Sequence, residues 1–456
     1  GVMRCSFVKP LVPRQGVSTD HAALKCLSNQ WTRSFRRAPS VAMAVTTPVV
    51  RLKPGKSKLF YGGNMIVLEN SVDRVSGDGC EEPGIMATLV DHNEKLIGWG
   101  ALNTSSFMRI RMLHNVIQDG PVDTTKALDV ETMLRRKLSD AVELRRRLGF
   151  PSDRTTTYRL VHSEGDGLSG LCVDVYGTAA VVESSAAWVE RYQELISDTL
   201  EELLTNVDRV IWRRSADKLR MEGPGFDHGN PQDVAANDST LVMENGLQFE
   251  VSLSQGQKTG YYCDQRENRA RIGELAKGAD VLDCFSYTGG FGIYAAANGA
   301  NSVTMVDSSA SALEIADRNA SRNSVSADIH KADVFQFLEE ANHGGRKWDI
   351  VVVDPPKYAP KVKSLPKASR KYRDLNKKAM KVVKSGGLLL SCTCSRAMTA
   401  SGTFLEVIEA AAKDAGKRVV VLDVAGASSD HLRPISMPET SYLTAVLLAV
   451  HDTPSS

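Results

Sequence analysis

Two kinds of side chain in the last third of this chain are equipped for covalent chemistry. Asp354 opens the run Asp354-Pro355-Pro356-Lys357, and forty residues on comes Ser391-Cys392-Thr393-Cys394-Ser395. Prolines fix φ and remove amide donors, so the loop after Asp354 is stiff and turns its carbonyls and side chains outward. A stiff acceptor of this kind can orient a planar base for either of two reactions. An exocyclic amine can be held against the prolines and alkylated on nitrogen, or a pyrimidine ring can be held by the acid while a thiolate attacks it. The cysteines favour the second. Carbon 5 of cytosine is too poor a nucleophile to take a methyl group directly, whereas a thiolate added at carbon 6 makes carbon 5 enamine-like and splits one hard step into two easier ones. A free thiol titrates near about 8.5, so positive charge or a helix terminus must favour the thiolate. Arg396 and the lysines around it could supply that field. Most unpaired cysteines are small buried hydrophobes, the reading taken for Cys284 and Cys392. Cys394 is preferred as the nucleophile because it lies nearer the end of the strand. Cys392, two residues back and on the same face if the segment is extended, is its rival.

The elements that must position these groups read as an open α/β sheet. Val281-Leu282-Asp283-Cys284-Phe285-Ser286-Tyr287-Thr288-Gly289-Gly290-Phe291 is a strand, a tight turn and the start of a helix through Ile293 to Ala297. Its glycines let backbone approach a ligand closely, at the carboxyl end of a parallel strand where such sheets bind their ligands. The next strand, Ser302 to Val306, ends in Asp307, roughly 20 positions beyond the turn and suited to accept hydrogen bonds from ribose hydroxyls. A third strand near Ile329 ends at Asp333, and a fourth, Trp348 to Val353, ends at Asp354, so each brings a carboxylate to one rim. A single Asp of this kind is more often an ordinary helix cap. Four in strand order point to a cofactor, and a turn without the pyrophosphate-binding G-x-G-x-x-G pattern suits S-adenosylmethionine. The expected cofactor contacts are Asp283, Phe285, Tyr287, Gly289, Gly290, Asp307, Ser308, Asp333, Val334, Asp354 and Pro355, with no metal.

Between the two reactive segments, residues 357–384 hold eleven Lys or Arg against the single acid Asp374, a net +10 in 28 residues, where the whole chain carries +2. Tyr358 and Tyr372 interleave with the charge, the mix of cations and stacking surfaces that polynucleotides use. Lys357, Tyr358, Arg370, Tyr372 and Arg373 are therefore the expected substrate contacts. A charge run is usually a solvated face, but this one abuts the proposed catalytic acid.

From about residue 51 onward the chain resembles the bacterial 23S ribosomal RNA large-subunit methyltransferase I group, which makes 5-methylcytosine. The likeness is carried by Tyr158-Arg159-Leu160, Gly165-Asp166-Gly167-Leu168, Gly256-Gln257-Lys258-Thr259-Gly260-Tyr261-Tyr262, Asp264-Gln265-Arg266, the turn from Cys284 to Phe291, the Asp-Pro-Pro-Lys loop, and Cys394-Ser395 with Met398-Thr399. It implies a PUA domain, a central α/β insert and a class I, Rossmann-like methyltransferase domain, in an α/β protein overall. It also implies that Cys394 aligns with the nucleophile, that Cys392 replaces a residue that is not cysteine in relatives, and that Lys258 to Arg266 forms a flap placing Gln265 and Arg266 on the cofactor. The chain departs from the pattern at Tyr61-Gly62-Gly63-Asn64-Met65-Ile66, where an aromatic is missing from the PUA-like segment. Arg109 and Arg111 still alternate with Ile110 and Met112 as an RNA-facing strand would, or as any half-exposed strand would.

Domains are expected over 51–125 (PUA-like), 126–245 (linking helix and central domain) and 246–456 (methyltransferase). The linking helix runs from Leu128 to Leu148 and stops at Gly149 and Pro151. Its clusters Arg135-Arg136-Lys137 and Arg145-Arg146-Arg147 are read as solvated. A helix is expected around Trp188 to Leu204, with a polar loop near Gly229 to Asn237 closing the central domain. Composition is 42% hydrophobic and 24% charged, ordinary for a globular protein. No run approaches the roughly 20 apolar residues of a membrane span. Eight cysteines show no C-x-x-C pair and no zinc spacing, so reduced thiols are expected. Residues 1–50 carry seven Lys or Arg and only Asp20 as acid. That is the composition of an organelle transit peptide or of a disordered basic arm. The small residues of Ser40-Val41-Ala42-Met43-Ala44 point to a chloroplast in preference to a mitochondrion, and the opening glycine implies a natural start further upstream. The expected partners are RNA of the 23S type and a second copy of the chain, without a membrane. The competing readings are an N-methyltransferase acting on an exocyclic amine and a non-catalytic RNA-binding protein of ribosome assembly.

Overall fold

A computed structural model of the chain describes residues 47–123, 128–223, 238–253, 259–359 and 362–453. The segment up to residue 46, expected to be a transit peptide or a disordered arm, the polar loop at 229–237 and Lys258 lie outside the described residues. Among those described, no helix is long and apolar enough to cross a membrane.

The first sheet holds β1 (Val49–Leu52), β2 (Ile66–Leu68), β3 (Val72–Ser76), β4 (Ile85–Val90), β5 (Leu96–Leu102) and β6 (Met108–Asn115) in the order β2-β6-β5-β4-β1-β3. Every pairing in it is antiparallel except β1 with β4. Its own core gathers Val50, Leu52, Val67, Leu89, Ile97 and Ile110. The linking helix α1 (Val130–Arg147) starts at Asp129, whose carboxylate caps Thr132 N–H. It buries Met133, Leu134, Leu138 and Ala141, the one-sided spacing of an amphipathic helix. That stripe shares one core with Met86, Trp99 and Leu113 of the first sheet and with Val173, Val175 and Val182 of the next.

The central sheet is β10-β9-β8-β7, from β7 (Thr157–His162), β8 (Leu171–Tyr176), β9 (Ala179–Ser184) and β10 (Arg209–Arg214). The helical stretch between β9 and β10 is two pieces, Ala187–Arg191 and α2 (Gln193–Leu203), broken at Tyr192. A hairpin of β11 (Ser239–Glu244) and β12 (Leu247–Ser252) follows.

The last and largest sheet runs β15-β14-β13-β16-β17-β19-β18. Its elements are α3 (Arg266–Leu275), β13 (Asp280–Cys284), α4 (Gly290–Ala297), β14 (Ser302–Asp307), α5 (Ala310–Arg322), β15 (Asp328–Lys331), α6 (Val334–His343), β16 (Trp348–Val353), α7 (Leu365–Val382), β17 (Val383–Thr393), α8 (Arg396–Ser401), α9 (Phe404–Ala415), β18 (Lys417–Ala425) and β19 (Thr444–Asp452). The five strands from β15 to β17 are parallel, and β19 and β18 close the sheet antiparallel. The chain winds outward from β13 to β15, then returns to place β16 on the other side of β13. The crevice above that reversal is where open α/β sheets bind their ligands. β16 reads as an apolar run interrupted only by Asp349 because helices cover both faces of a parallel sheet.

Several arginines expected at the surface are committed inside. Arg145, in a cluster read as solvated, is fully buried; it pairs with Asp166 and donates to the Asp430 carbonyl at 2.8 Å. Arg111 is buried against the central domain, donating to Ser169 Oγ at 3.0 Å and to Glu222 at 2.8 Å, and Arg109 holds Glu69 at 2.6 Å. The alternation of Arg109 and Arg111 thus reflects pairing within the protein.

Candidate active site

The turn after β13 is held open by its own backbone. Phe285 and Tyr287 adopt φ of 62° and 49°, left-handed values that non-glycine residues rarely take and that persist only when surroundings enforce them. The enforcing bonds run to the next strand: Phe285 and Ser286 N–H both donate to the Val306 carbonyl, at 2.9 and 3.1 Å, and Tyr287 N–H donates to Asp307 Oδ2 at 3.0 Å. Gly289 continues the turn at φ 84°, and a side chain there would press on Ile293, Ala316 and Met305. Asp307 Oδ1 also accepts Ser309 N–H at 2.8 Å, which pins the half-buried carboxylate while each oxygen keeps a second lone pair for a ligand hydroxyl.

Asp283 lies beneath the turn, 1% exposed. Its Oδ2 accepts Gly292 N–H at 2.9 Å, and its buried Oδ1 has no hydrogen-bond partner among the described residues. Burial pushes this carboxyl up to about 7; the charges of Asp354 and Asp307 push the same way, against the Gly292 bond and Arg269. The Ser286 hydroxyl is likewise buried and without a partner among the described residues. Two orphaned polar groups under a strained turn, beside a pinned carboxylate at the end of β14, fit the polar body of S-adenosylmethionine. The remaining cofactor candidates divide. Ser308 is exposed, whereas Asp333 caps α6 by accepting Gln336 N–H at 3.0 Å and Val334 is packed into the core beneath that helix. Gln265 is buried, accepts from Asn268 Nδ2 at 2.6 Å and reaches the Cys392 thiol. Arg266 is a correction: it is 2% exposed, bonded to Asp430 at 3.0 Å and stacked 4.3 Å above the Phe150 ring. Its charge is spent joining the catalytic and central domains.

The reactive candidates meet where the ends of β16 and β17 lie side by side. Asp354 follows β16, its N–H 3.4 Å from the Cys284 carbonyl, and stands near enough to Tyr262, Asp283 and Cys392 for its charge to raise all three. Cys394 follows β17, and its Sγ lies 4.0 Å from the Pro355 carbonyl oxygen. The two loops are stitched together by Ser395 Oγ, which donates to the Ala359 carbonyl at 2.8 Å. Cys394 is half-buried, whereas Cys392 is wholly enclosed within β17 and burial holds its thiol far above the ordinary range. Lys357 stands beside Cys394: desolvation lowers its ammonium, attraction to the Cys394 thiolate opposes this, and repulsion from Arg396 adds to it.

The basic run is less free than its composition suggests. Tyr372 is a correction, since it is fully buried, takes a hydrogen bond from Thr393 Oγ1 at 2.8 Å and packs on Phe404, which makes it a floor under the thiol loop with no stacking face to offer. Arg373 is held by Asp414 at 2.6 and 2.7 Å, Lys378 by Glu339, and Lys384 by Asp280 and Asp349. Lys357, Lys363, Lys367, Arg370 and Lys371 remain exposed, the last with its Nζ 4.0 Å over the Tyr358 ring.

Sequence reasoning passed over Tyr262 and Asp264. Tyr262 sets its ring edge-on to Tyr287 at 5.5 Å, and its phenol is raised by burial and then by the Asp354 charge. Asp264 is buried and accepts from Tyr442 OH at 2.7 Å. Both lie within the segments that carried the resemblance, Gly256 to Tyr262 and Asp264-Gln265-Arg266, which was the available signal.

Residues 231–424 match the model of an S-adenosylmethionine-dependent methyltransferase family, and residues 50–115 that of a PUA-like domain. The ribosomal RNA large subunit methyltransferase I of Alteromonas mediterranea is 35% identical over 410 residues, covering 88% of this chain and 99% of that one. The protein of the same name from Shewanella frigidimarina is 33% identical over 412 residues, with 88% and 99% covered. Among solved structures, a candidate SAM-dependent methyltransferase from Streptococcus mutans superposes with a TM-score of 0.72 at 20% identity, over 88% of this chain and 99% of that one. A methyltransferase candidate solved with SAH gives the same score over 89% and 100%. These two show the fold alone. The two family models put a PUA-like domain ahead of an S-adenosylmethionine-dependent methyltransferase domain, and with relatives 33–35% identical that match nearly end to end, the chain belongs to the ribosomal RNA large subunit methyltransferase I family.

Proposed function

We propose that this protein methylates carbon 5 of a cytosine in large-subunit ribosomal RNA through a covalent adduct with Cys394. The observation that carries the reading is the 4.0 Å approach of Cys394 Sγ to the Pro355 carbonyl, on two loops sewn to each other, with the rival thiol of Cys392 sealed inside the sheet. The names of the relatives supply the class of RNA.

In this scheme S-adenosylmethionine, when bound, supplies an electrophilic methyl group. The Cys394 thiolate, favoured by Lys357 and Arg396, forms a bond from sulfur to carbon 6, and the electrons of the carbon 5–carbon 6 double bond move to carbon 5. Asp354 hydrogen-bonds the ring edge and favours that activated form. Carbon 5 takes the methyl group, and the electrons of the broken sulfur–methyl bond stay on the donor as a thioether. Loss of the carbon-5 proton to Asp354 or to water re-forms the double bond and expels the thiolate. If the target is paired, it must first leave its stack, as bases modified in this way do. The exposed cations from Lys357 to Lys371 are the surface proposed to meet the phosphates, and the composition of residues 1–50 supports action in the chloroplast.

Bisulfite sequencing of total and organellar ribosomal RNA from cells with and without the protein tests this. One cytosine should lose its protection without the protein and regain it with wild type but not with Cys394→Ala. Unchanged protection at every cytosine would overturn the carbon-5 reading and direct the search to amine methylation.

A further inference from the structure

Leu59, Ile117 and Ile435 are 57%, 62% and 100% exposed, and they stand on three segments that converge at Gly63. Leu59 belongs to the helical turn Lys58–Tyr61 just ahead of it. The amide of Gln118, next to Ile117, comes so near that a Cβ on Gly63 would lie 2.2 Å from Nε2. Ser436, next to Ile435, donates its hydroxyl to the Gly63 carbonyl at 3.0 Å. One exposed aliphatic is ordinary, whereas several gathered on a polar-rimmed surface mark a place where something binds.

Ile435 stands clear of the protein because its loop is fastened everywhere except at the tip. Met437 N–H closes a turn on the Pro434 carbonyl at 3.0 Å, and Pro434 and Pro438 restrict the backbone on either side. Met437 is buried, and its Sδ accepts Met65 N–H from the PUA-like domain at 3.4 Å. On the central domain, a Cβ on Gly165 would lie 2.4 Å from the Leu432 carbonyl oxygen, so the two backbones touch. The same loop runs on into the candidate site. Tyr442 OH donates to Asp264 at 2.7 Å, and the Tyr442 carbonyl accepts from Thr399 Oγ1 at 3.3 Å, in the helix that follows Cys394. Over 56–63, 115–119 and 433–439 the exposed charges are Lys56, Lys58 and Arg433 against the one acid Glu439. A stiff apolar tip rimmed by cations suits a polynucleotide.

We propose that Ile435 is a wedge that enters the base stack of the RNA where the target nucleotide leaves it, with Leu59 and Ile117 flanking the opened step. A base that swings out of its stack leaves a gap, and aliphatic side chains inserted between bases fill such gaps in other nucleic-acid complexes. The inference rests on the proposed action on ribosomal RNA but not on carbon 5, because tritium transferred from the methyl donor is counted whichever atom receives it.

Single-turnover transfer is measured on a folded large-subunit ribosomal RNA fragment that accepts the methyl group, and on the same fragment with an abasic nucleotide beside the target, which is then already unstacked. Ile435→Ala should slow transfer to the intact fragment by roughly 10- to 100-fold, the worth of burying such a side chain. On the abasic fragment the loss should shrink to less than about threefold, because the unstacking cost is already met. Ile435→Met should keep the wild-type rate on both, and all variants should keep the wild-type thermal midpoint, since a fully exposed side chain supports no packing. Equal rates for wild type and Ile435→Ala on the intact fragment would overturn the wedge and leave the patch to a protein partner. An equal loss on both fragments would overturn it too, making Ile435 a general strand contact. A wild type that transfers methyl groups to no ribosomal RNA would overturn the proposed function along with it.

Discussion

The two cysteines at the end of β17 make opposite predictions, and their surroundings set the sizes. An ordinary thiol near about 8.5 is roughly one-tenth thiolate at about pH 7.5. Burial raises Cys392 far above that, so it offers much less than a tenth, and at 0% exposure it cannot reach a ring. Cys392→Ser puts a hydroxyl in its place with Gln265 in reach as a partner. The expected cost is about 1 kcal/mol of stability, with turnover within a few-fold of wild type. Cys394→Ser replaces a half-buried thiol with an alcohol that barely ionises, so the bond to carbon 6 cannot form. A loss of about 10³-fold or more is expected, some 4 kcal/mol of barrier. Single-turnover methylation of a ribosomal RNA fragment measures both. A fragment carrying 5-fluorocytosine gives an independent readout, because carbon 5 then has no proton to lose and the sulfur–carbon bond persists on a denaturing gel. Wild type and Cys392→Ser should form the band and Cys394→Ser should not. A Cys394→Ser enzyme within tenfold of wild type, or a band that disappears with Cys392→Ser alone, would refute the assignment.

Asp430 is fully buried and accepts from Arg266 at 3.0 Å and from Arg159 N–H at 2.8 Å, with His431 at 2.9 Å. Asp430→Ala would strand the Arg266 charge, at a cost of about 3–5 kcal/mol in urea unfolding; a loss under about 1 kcal/mol would show that water reaches the cluster. Asp283, pushed up to about 7 by burial, has a folded pKa above its unfolded value of about 3.9. Its contribution is therefore fully present at acid pH and is lost as pH rises toward the folded value, by about 2 kcal/mol between about pH 5.5 and pH 8. Asp283→Asn should remove that much of the pH dependence of unfolding, and identical slopes in the two proteins would contradict a buried acid. For RNA, the exposed Lys367 and Arg370 should each lower the slope of log affinity against log salt by roughly 0.7–0.9 when changed to alanine. Arg373→Ala should leave the slope unchanged, because Asp414 already holds that guanidinium. Filter binding across a salt series separates these outcomes.

What could be read from the chain was whatever its local pattern enforces. β16 was legible end to end because Trp348 to Val353 is an apolar run closed by Asp354-Pro355. The cofactor turn was legible because the apolar strand breaks at Ser286 to Gly290 before a helix, although the left-handed backbone of Phe285 and Tyr287 within it was not. What failed depended on partners distant in sequence. Arg373 is neutralised from 41 residues away, Arg266 from 164, and Arg145 reaches 285 residues to the Asp430 carbonyl. No local pattern distinguishes these arginines from solvated ones. Tyr372 is different, because Ala368, Tyr372, Leu375, Ala379 and Val382 are the buried stripe of α7 at helical spacing. That signal was in the sequence, and counting charge over the whole run obscured it. The third strand ends two residues before Asp333, which left that acid free to serve as an ordinary cap.

The misplaced arginines bear on how the site is held. Asp264 and Gln265 border the space around Cys392 and Asp354, and the segment carrying them is fastened chiefly to other domains and loops. Thr259 donates to Asp174, Tyr261 N–H reaches Tyr176 OH at 3.2 Å, and Asp174 itself is gripped by Arg159 at 2.6 and 2.8 Å, all from the central sheet. From the loop ahead of β19, Ser428 donates N–H and Oγ to the Asp264 carbonyl at 2.9 and 3.0 Å. Arg266 then locks the end of the segment to Asp430. A short apolar contact could have joined these domains, but buried ion pairs are directional, and removing one member leaves a charge that nothing else neutralises. The central sheet thus acts as a template for one wall of the candidate site, and Arg159 together with Arg266, which was expected on the cofactor, fixes that wall. The cations of the basic run proposed to meet the nucleic acid are the shorter, exposed set Lys357, Lys363, Lys367, Arg370 and Lys371.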